Sequence, residues 1–87
     1  MNDYSLRFKS SAAKEFRNLS SEIKQRVGLA VEELSQKPRP NGVVKLQGDD
    51  KLYRIRVGDY RIVYEIDDPE KLIQITRIRH RSDVYKG

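Results

Sequence analysis

Three arginines, Arg54, Arg56 and Arg61, have the residue type and spacing best suited to chemistry in this chain. They lie in an alternating polar and apolar segment, residues 52–66, that is interrupted by Gly58-Asp59. Glycine at the first position of a two-residue loop is typical of a type II′ hairpin turn. In that register Arg56 lies directly opposite Arg61. Because like charges across a strand pair destabilise a sheet, we expect this face to bind an anion.

The same register predicts which face of the hairpin is buried. It pairs Val57 with Tyr60, Ile55 with Ile62 and Tyr53 with Tyr64 on one apolar face. If helices cover that face, the arginines are left on the other face, towards solvent. Guanidinium groups bind phosphates bidentately, and they stabilise the negative charge that develops during phosphodiester cleavage. A solvated face balanced by Glu65, Asp59 and the acidic loops is the alternative interpretation.

The last predicted strand carries two more arginines, Arg77 and Arg79. Simple alternation places both on the face of Ile73 and Ile75 and sends Thr76, Ile78 and His80 to the opposite face. Arg79 joins the arginines of the hairpin if the strand register permits it.

His80 and Tyr85 are the other candidates for a site. His80 is the one side chain whose ordinary pKa lies near neutrality, so it is a possible acid or base. A lone histidine at the end of a strand is more often structural. Tyr85 is suited to stacking on a nucleobase or, alternatively, to packing the chain terminus on the core.

Composition narrows the class of protein. The chain has 87 residues, a net charge of +5 and no cysteine, which excludes disulfides and thiol catalysis. The basic charge favours a polyanionic partner such as RNA or DNA, or an acidic protein. There is no glycine-rich phosphate loop and no metal-ligand spacing, so we expect neither a metal nor another cofactor. No apolar stretch approaches a membrane span and no signal peptide is evident, so a cytoplasmic location is the expectation.

The order of predicted elements is β-α-α-β-β-β. Tyr4–Phe8 alternates as a strand, and a short helix begins near Ala12. Ser20-Ser21 caps a second helix that ends before Pro38. The hairpin and the strand Leu72–Ile78 follow. We therefore predict an α+β fold in one domain, residues 1–87, with two helices packed on a mainly antiparallel four-stranded sheet.

Several segments together resemble the RelE/ParE superfamily of toxins from toxin–antitoxin modules. The resemblance covers nearly the whole chain and depends on the order of four segments, which are residues 45–48, 52–56, 59–64 and 80–85. Ala13–Phe16 and Pro38-Arg39 also fit the pattern. The family's fold agrees with the predicted order of elements.

The resemblance implies a RelE-like, ribosome-dependent mRNA endoribonuclease that cuts in the ribosomal A site without a metal. By position it makes Arg61 the residue that stabilises the transition state, Arg79 the residue linked to the leaving group, and Tyr85 the residue that stacks on the nucleotide. Arg54 and Arg56 match two basic positions that bind RNA. Lys45 and Arg81 are further RNA-binding candidates, Arg81 also as an alternative to Arg79. The expected partners are a RelB-like antitoxin, the ribosome and mRNA, and larger complexes would form through the antitoxin.

Three positions depart from the family pattern. Arginines stand at positions 54 and 56, where the best-known member has lysines, and an arginine almost never gives up its proton. A general-base role therefore does not transfer to Arg56, which acts only electrostatically unless His80 takes part in proton transfer. Gln47 also stands where a basic residue can occur. A ParE-like toxin that inhibits DNA gyrase and an inactive relative that only binds its antitoxin are the alternatives.

Overall fold

Two helices and five strands form the fold in a computed structural model that describes residues 3–46, 48 and 51–81. The elements are β1 (Ser5–Phe8), α1 (Ser10–Arg17), α2 (Ser21–Leu34), β2 (Val44–Lys45), β3 (Leu52–Val57), β4 (Tyr60–Asp67) and β5 (Leu72–His80). The predicted α+β class is confirmed. The predicted strand count is corrected from four to five, because Val44–Lys45 pairs with β3 as a two-residue edge strand.

The sheet has the strand order β1-β5-β4-β3-β2. The first strand, whose neighbour the sequence left open, runs parallel to β5, and every other pair is antiparallel. The parallel ladder ends where Phe8 lies opposite Ile75. The second half of β5 therefore has no strand on that side, and α1 packs beside it.

The hairpin between β3 and β4 has the predicted register. Val57 lies opposite Tyr60, and Arg56 lies opposite Arg61. Gly58 has φ +59°, whereas Asp59 does not have a positive φ, as a type II′ turn requires. The turn chemistry thus confirms the pairing that places the arginines on one face.

The prediction that side chains alternate strictly along β5 was wrong, because a β-bulge interrupts the pairing of β4 with β5. Tyr64 lies opposite Ile75, but its neighbour Val63 lies opposite Arg77, so Thr76 is the extra residue. An extra residue moves every later side chain in the strand to the opposite face of the sheet. As a result Ile78 is buried in the core, while Arg77 and Arg79 lie on the face opposite to Ile73 and Ile75.

The core lies between the helices and the predicted apolar face of the sheet. Ser20 caps α2, where its Oγ accepts a 3.4 Å hydrogen bond from the N–H of Ile23. The buried side chains come from both layers: Ala12, Val27, Val31, Leu34, Tyr53, Ile55, Ile62, Tyr64, Ile66, Ile73, Ile75 and Ile78. The arginine-bearing face of the hairpin is therefore the one that the helices do not cover.

A polar cluster ties three distant segments together at one end of the sheet. The Tyr4 hydroxyl donates a 2.6 Å hydrogen bond to Asp68 Oδ1, and Arg39 Nη2 lies 2.9 Å from Asp68 Oδ2. The Arg39 guanidinium also lies 5.1 Å from the centroid of the Tyr53 ring. The hydrogen bonds from Arg39, and then that from Tyr4, hold the pKa of Asp68 below its usual value. Tyr64 donates to the Pro38 carbonyl at 2.7 Å, and burial raises the pKa of its hydroxyl.

Candidate functional site

Three arginines form a row across β3, β4 and β5, each one residue from the end of its strand that lies nearest the hairpin turn. Arg61 on β4 lies opposite Arg56 on β3 and opposite Arg79 on β5. Directly opposed residues have Cβ atoms about 5 Å apart on the same face. The bulge at Thr76 is what brings Arg79 onto this face, because strict alternation would have placed it on the other side. The sheet thus aligns three positive charges that repel one another, which is unfavourable unless an anion binds between them.

Arg61 is the central residue of this row and the most buried. Arg61 is only 7% exposed, and among the described residues its Nη1 atom has no hydrogen-bond partner. Buried polar atoms in folded proteins almost always have a partner. An unpartnered guanidinium N–H group between two further arginines is a donor available to a bound oxyanion.

Arg79 is held at its end of the row by a carboxylate from α1. Its Nε atom lies 3.0 Å from Glu15 Oε2, as an ion pair that is not aligned as a hydrogen bond. The other oxygen, Oε1, accepts a 2.8 Å hydrogen bond from the backbone N–H of Ile78. Arg77 lies farther away, with Nη1 3.7 Å from the same carboxylate. Glu15 therefore fills the hydrogen-bonding position that β1 leaves vacant and also orients Arg79.

Arg54 and Arg56 line the side of the row that belongs to β3. Arg56 is exposed, and its Nε donates a long 3.4 Å hydrogen bond to the Gly58 carbonyl within the turn. Arg54 is half-buried and lies opposite Val63, which places it diagonally from Arg61. Both side chains are thus next to the unpartnered guanidinium, as the hairpin register predicted.

Two of the predicted site residues lie on the other face of the sheet. Lys45 is opposite Tyr53, and His80 is opposite Tyr60, so both side chains start from the face that the helices cover. The His80 ring makes an edge-on contact with the Tyr60 ring at 5.3 Å between centroids. The structure therefore does not bring Lys45 or His80 together with the arginine row.

The remaining predicted residues lie at or beyond the end of β5. Arg81 directly follows the strand, is exposed, and donates its backbone N–H to the Asp59 carbonyl at 2.7 Å. That bond ties the end of β5 to the hairpin turn beside the arginine row. Tyr85 and Gln47 lie outside the described residues.

Sequence reasoning missed Glu15 as a participant in the site. Its segment was noticed only as part of the family pattern, and a glutamate on a short charged helix carries no local signal of its role. The pairing with Arg79 depends on the bulge and on the early end of β1, and both are tertiary features.

In the ranges 3–46, 48 and 51–81, no group of three or more His, Cys, Asp or Glu side chains is arranged to hold a metal ion. Neither of the helices in those ranges is long and apolar enough to cross a membrane.

The family of this protein follows from comparison with known proteins. Residues 3–85 match the family model described as the ParE toxin of the type II toxin–antitoxin system parDE. Toxin RelG of Mycobacterium tuberculosis is 31% identical, over 95% of this chain and 97% of its own length. The mRNA interferase toxin RelE of Escherichia coli K12 is also 31% identical, over 94% of this chain and 90% of its own length.

The fold leads to the same family. The toxin in the archaeal RelE-RelB complex from Pyrococcus horikoshii superposes with a TM-score of 0.82 and 28% identity, covering 91% of this chain and 96% of that one. This chain therefore belongs to the RelE/ParE superfamily of toxins from type II toxin–antitoxin modules, and it is RelE-like.

Proposed function

We propose that this toxin is a ribosome-dependent mRNA endoribonuclease that acts in the cytoplasm, cuts mRNA in the ribosomal A site and so inhibits translation. One observation carries the proposal. Arg61 is buried, has an unpartnered Nη1, and lies in a row between Arg56 and Arg79. The relatives named mRNA interferase RelE support this reading of the row as a phosphate site.

The chemistry needs no external nucleophile. The ribose 2′-oxygen attacks the adjacent phosphorus, the P–O5′ bond breaks, and the products are a 2′,3′-cyclic phosphate and a 5′-hydroxyl. The 2′-hydroxyl loses one proton, and the leaving 5′-oxygen gains one. Arg61 stabilises the added charge on the non-bridging oxygens, and Arg79 stabilises the leaving oxygen. Arg54 and Arg56 hold the phosphates on either side.

The row supplies charge and no proton acceptor. Arginines hold their protons, and His80 starts from the opposite face of the sheet. Cleavage therefore depends on the ribosome, which holds the mRNA with the 2′-oxygen aligned for attack. Tyr85 would stack on the nucleotide beside the cut. No metal takes part in this mechanism.

The first prediction is that Arg61→Ala abolishes most of the cleavage. Removing one donor to a developing oxyanion costs about 100-fold in rate. The measurement is primer extension on a translated mRNA, with and without ribosomes. Arg17→Ala, which removes an exposed arginine at the end of α1, should cut like the wild type. Intact transcripts alongside arrested translation would overturn the proposal, and rapid cutting of naked RNA would overturn the dependence on the ribosome.

A RelB-like antitoxin is the proposed partner of the toxin, since the related structures are toxin–antitoxin complexes. A groove of about 980 Å³ runs between α2 and β3, and Leu29 at its rim is 57% exposed. Leu29, Ala30, Ile55 and Val57 line this groove together, and a contiguous apolar patch of this kind is typical of a protein-binding surface. We propose that an amphipathic segment of the antitoxin occupies this groove.

The second prediction is that Leu29→Asp weakens antitoxin binding at least about tenfold, because it places a charge in an apolar interface. Gln25→Asp, one turn earlier on α2 and outside the groove, should bind normally. Titration calorimetry with the antitoxin encoded beside the toxin measures both. Equal affinities for the two variants would remove the groove from the interface.

Gyrase inhibition is the second candidate function, because the matching family model describes ParE toxins. A supercoiling assay with purified toxin and DNA gyrase separates the two candidates. Loss of supercoiling together with intact mRNA would favour the ParE-like function, whereas unaffected supercoiling would remove it.

A further inference from the structure

A hollow of about 370 Å³ lies on the same face of the sheet as the arginine row. Leu52 and Val63 contribute apolar surface to it. Its polar lining comes from β4, β5, the first turn of α1 and the residue just before that helix: Lys9, Ser11, Glu65, Thr76 and Arg77. The hollow thus combines apolar surface, which suits a nucleobase, with a few polar groups that can orient it.

Glu65 is the acidic residue of this hollow, and its side chain is uncommitted among the described residues. It is half-buried, opposite Leu52 on one side and Gln74 on the other. Within the described ranges its carboxylate has no hydrogen bond and no ion pair. By contrast, the Thr76 hydroxyl already donates a hydrogen bond to the Val63 carbonyl at 3.1 Å. Arg77 Nη1 lies 3.7 Å from the Glu15 carboxylate.

Glu65 lies too far from Arg61 to take part in the cleavage step. Glu65 is four residues further along β4 than Arg61, which corresponds to about 13 Å. A general base must lie within about 3 Å of the proton that it takes. Glu65 is therefore too far from a phosphate held at Arg61 to act as its base, and it is well placed to contact a neighbouring nucleotide.

We infer that this hollow binds the base of a nucleotide next to the scissile phosphate, and that Glu65 selects a base bearing an amino group. The inference rests on the proposed ribonuclease function. A carboxylate only accepts hydrogen bonds, so it pairs with the amino groups of adenine, cytosine or guanine. Uracil offers one N–H group between two carbonyl oxygens, and the partial negative charge of those oxygens repels a carboxylate.

The neighbouring cations make this placement compatible with RNA. A lone carboxylate would repel the phosphate backbone, but Lys9 and Arg77 line the same hollow and Arg54 lies diagonally across from Glu65. These side chains attract the backbone, while Glu65 reads the base edge. Single-stranded RNA is recognised in this way, by contacts to splayed bases on a basic surface.

The direct test is binding of short strands that cannot be cut. The probes are 2′-deoxy pentanucleotides of uracil in which the central base is uracil, cytosine, adenine or guanine. The wild type should bind the three amino-bearing strands about tenfold more tightly than all-uracil, because one hydrogen bond to a charged group is gained. Glu65→Gln, whose amide both donates and accepts, should reduce that ratio to about twofold or less. Glu70→Gln, in the exposed turn before β5, is the matched control and should keep the ratio.

The outcomes keep this inference separate from the proposed function. Equal binding of all four strands by the wild type would overturn the base preference, even if translated mRNA is cut. A preference that Glu65→Gln leaves unchanged would overturn the role of Glu65. A preference lost in Glu65→Gln without any cleavage of translated mRNA would support the hollow as a base site and overturn the ribonuclease proposal.

Discussion

At the scale of a single residue, Arg61 has a structural cost that its proposed role in binding phosphate would offset. Its guanidinium is buried between two other cations and leaves Nη1 without a partner. Burying an unpaired charge normally destabilises a fold. The proposed phosphate site accounts for a cation at this position, because a bound oxyanion would supply the missing partner.

The third prediction follows from that conflict: Arg61→Met should raise the stability of the isolated toxin. The thioether side chain fills a similar volume and removes the repulsion from Arg56 and Arg79, so we expect a gain of about 1 kcal/mol or more. Chemical denaturation measures the free energy of unfolding. Arg17→Met, an exposed change of the same kind, should stay within about 0.5 kcal/mol of wild type. A less stable Arg61→Met protein would show that the guanidinium is favourably placed without a ligand.

The hairpin turn and the β5 bulge set the site at the scale of elements. The turn brings Arg56 opposite Arg61, and the bulge rotates Arg79 onto the same face. The hairpin turn depends on Gly58, because its φ of +59° is strained for any residue with a side chain. A Cβ atom there would also lie 3.4 Å from the guanidinium of Arg26, which reaches the turn from α2.

The fourth prediction contrasts two glycines. Gly58→Ala should lower the free energy of unfolding by about 1–2 kcal/mol, because it forces a left-handed conformation on alanine. Gly28→Ala should raise it by about 0.5–1 kcal/mol, since Gly28 lies inside α2 and its added methyl would meet the Phe16 ring at an ordinary 3.8 Å. Thermal and denaturant unfolding of both variants provide the check. A Gly58→Ala protein as stable as wild type would show that the turn can change type.

The Tyr4, Arg39 and Asp68 cluster acts at the scale of the whole molecule. It joins the segment before β1, the segment after α2 and the turn between β4 and β5, which are far apart in sequence. Contacts of this kind close long loops and fasten three segments that are distant in sequence at one end of the sheet.

The fifth prediction concerns acid stability. The pKa of Asp68 is lowered in the folded protein by Arg39 and then by Tyr4, so its stabilising effect is present above the unfolded value of 3.8. That effect is lost as the pH falls from there through the lower folded value. Asp68→Asn should therefore flatten the acid limb of a plot of stability against pH, whereas Asp67→Asn should change it less. Identical acid limbs for wild type and Asp68→Asn would show that the cluster is not coupled to folding.

The pairing of the hairpin was predictable from the chain alone. Period-two alternation and a Gly-Asp turn are local properties, and local sterics are enough to place Arg56 opposite Arg61. The order of helices and strands follows from the same kind of signal, and so does the basic charge that favours a polyanionic partner.

Which residues come together at the candidate site was decided only by the tertiary structure. The bulge at Thr76 moved Arg79 onto the arginine face, the short β1 left an edge for Glu15, and the register placed Lys45 and His80 on the other face. Each of these depends on how one strand meets another that is distant in sequence. A single extra residue reverses the side of a strand that its side chains occupy, and no local pattern records where the sheet accommodates it.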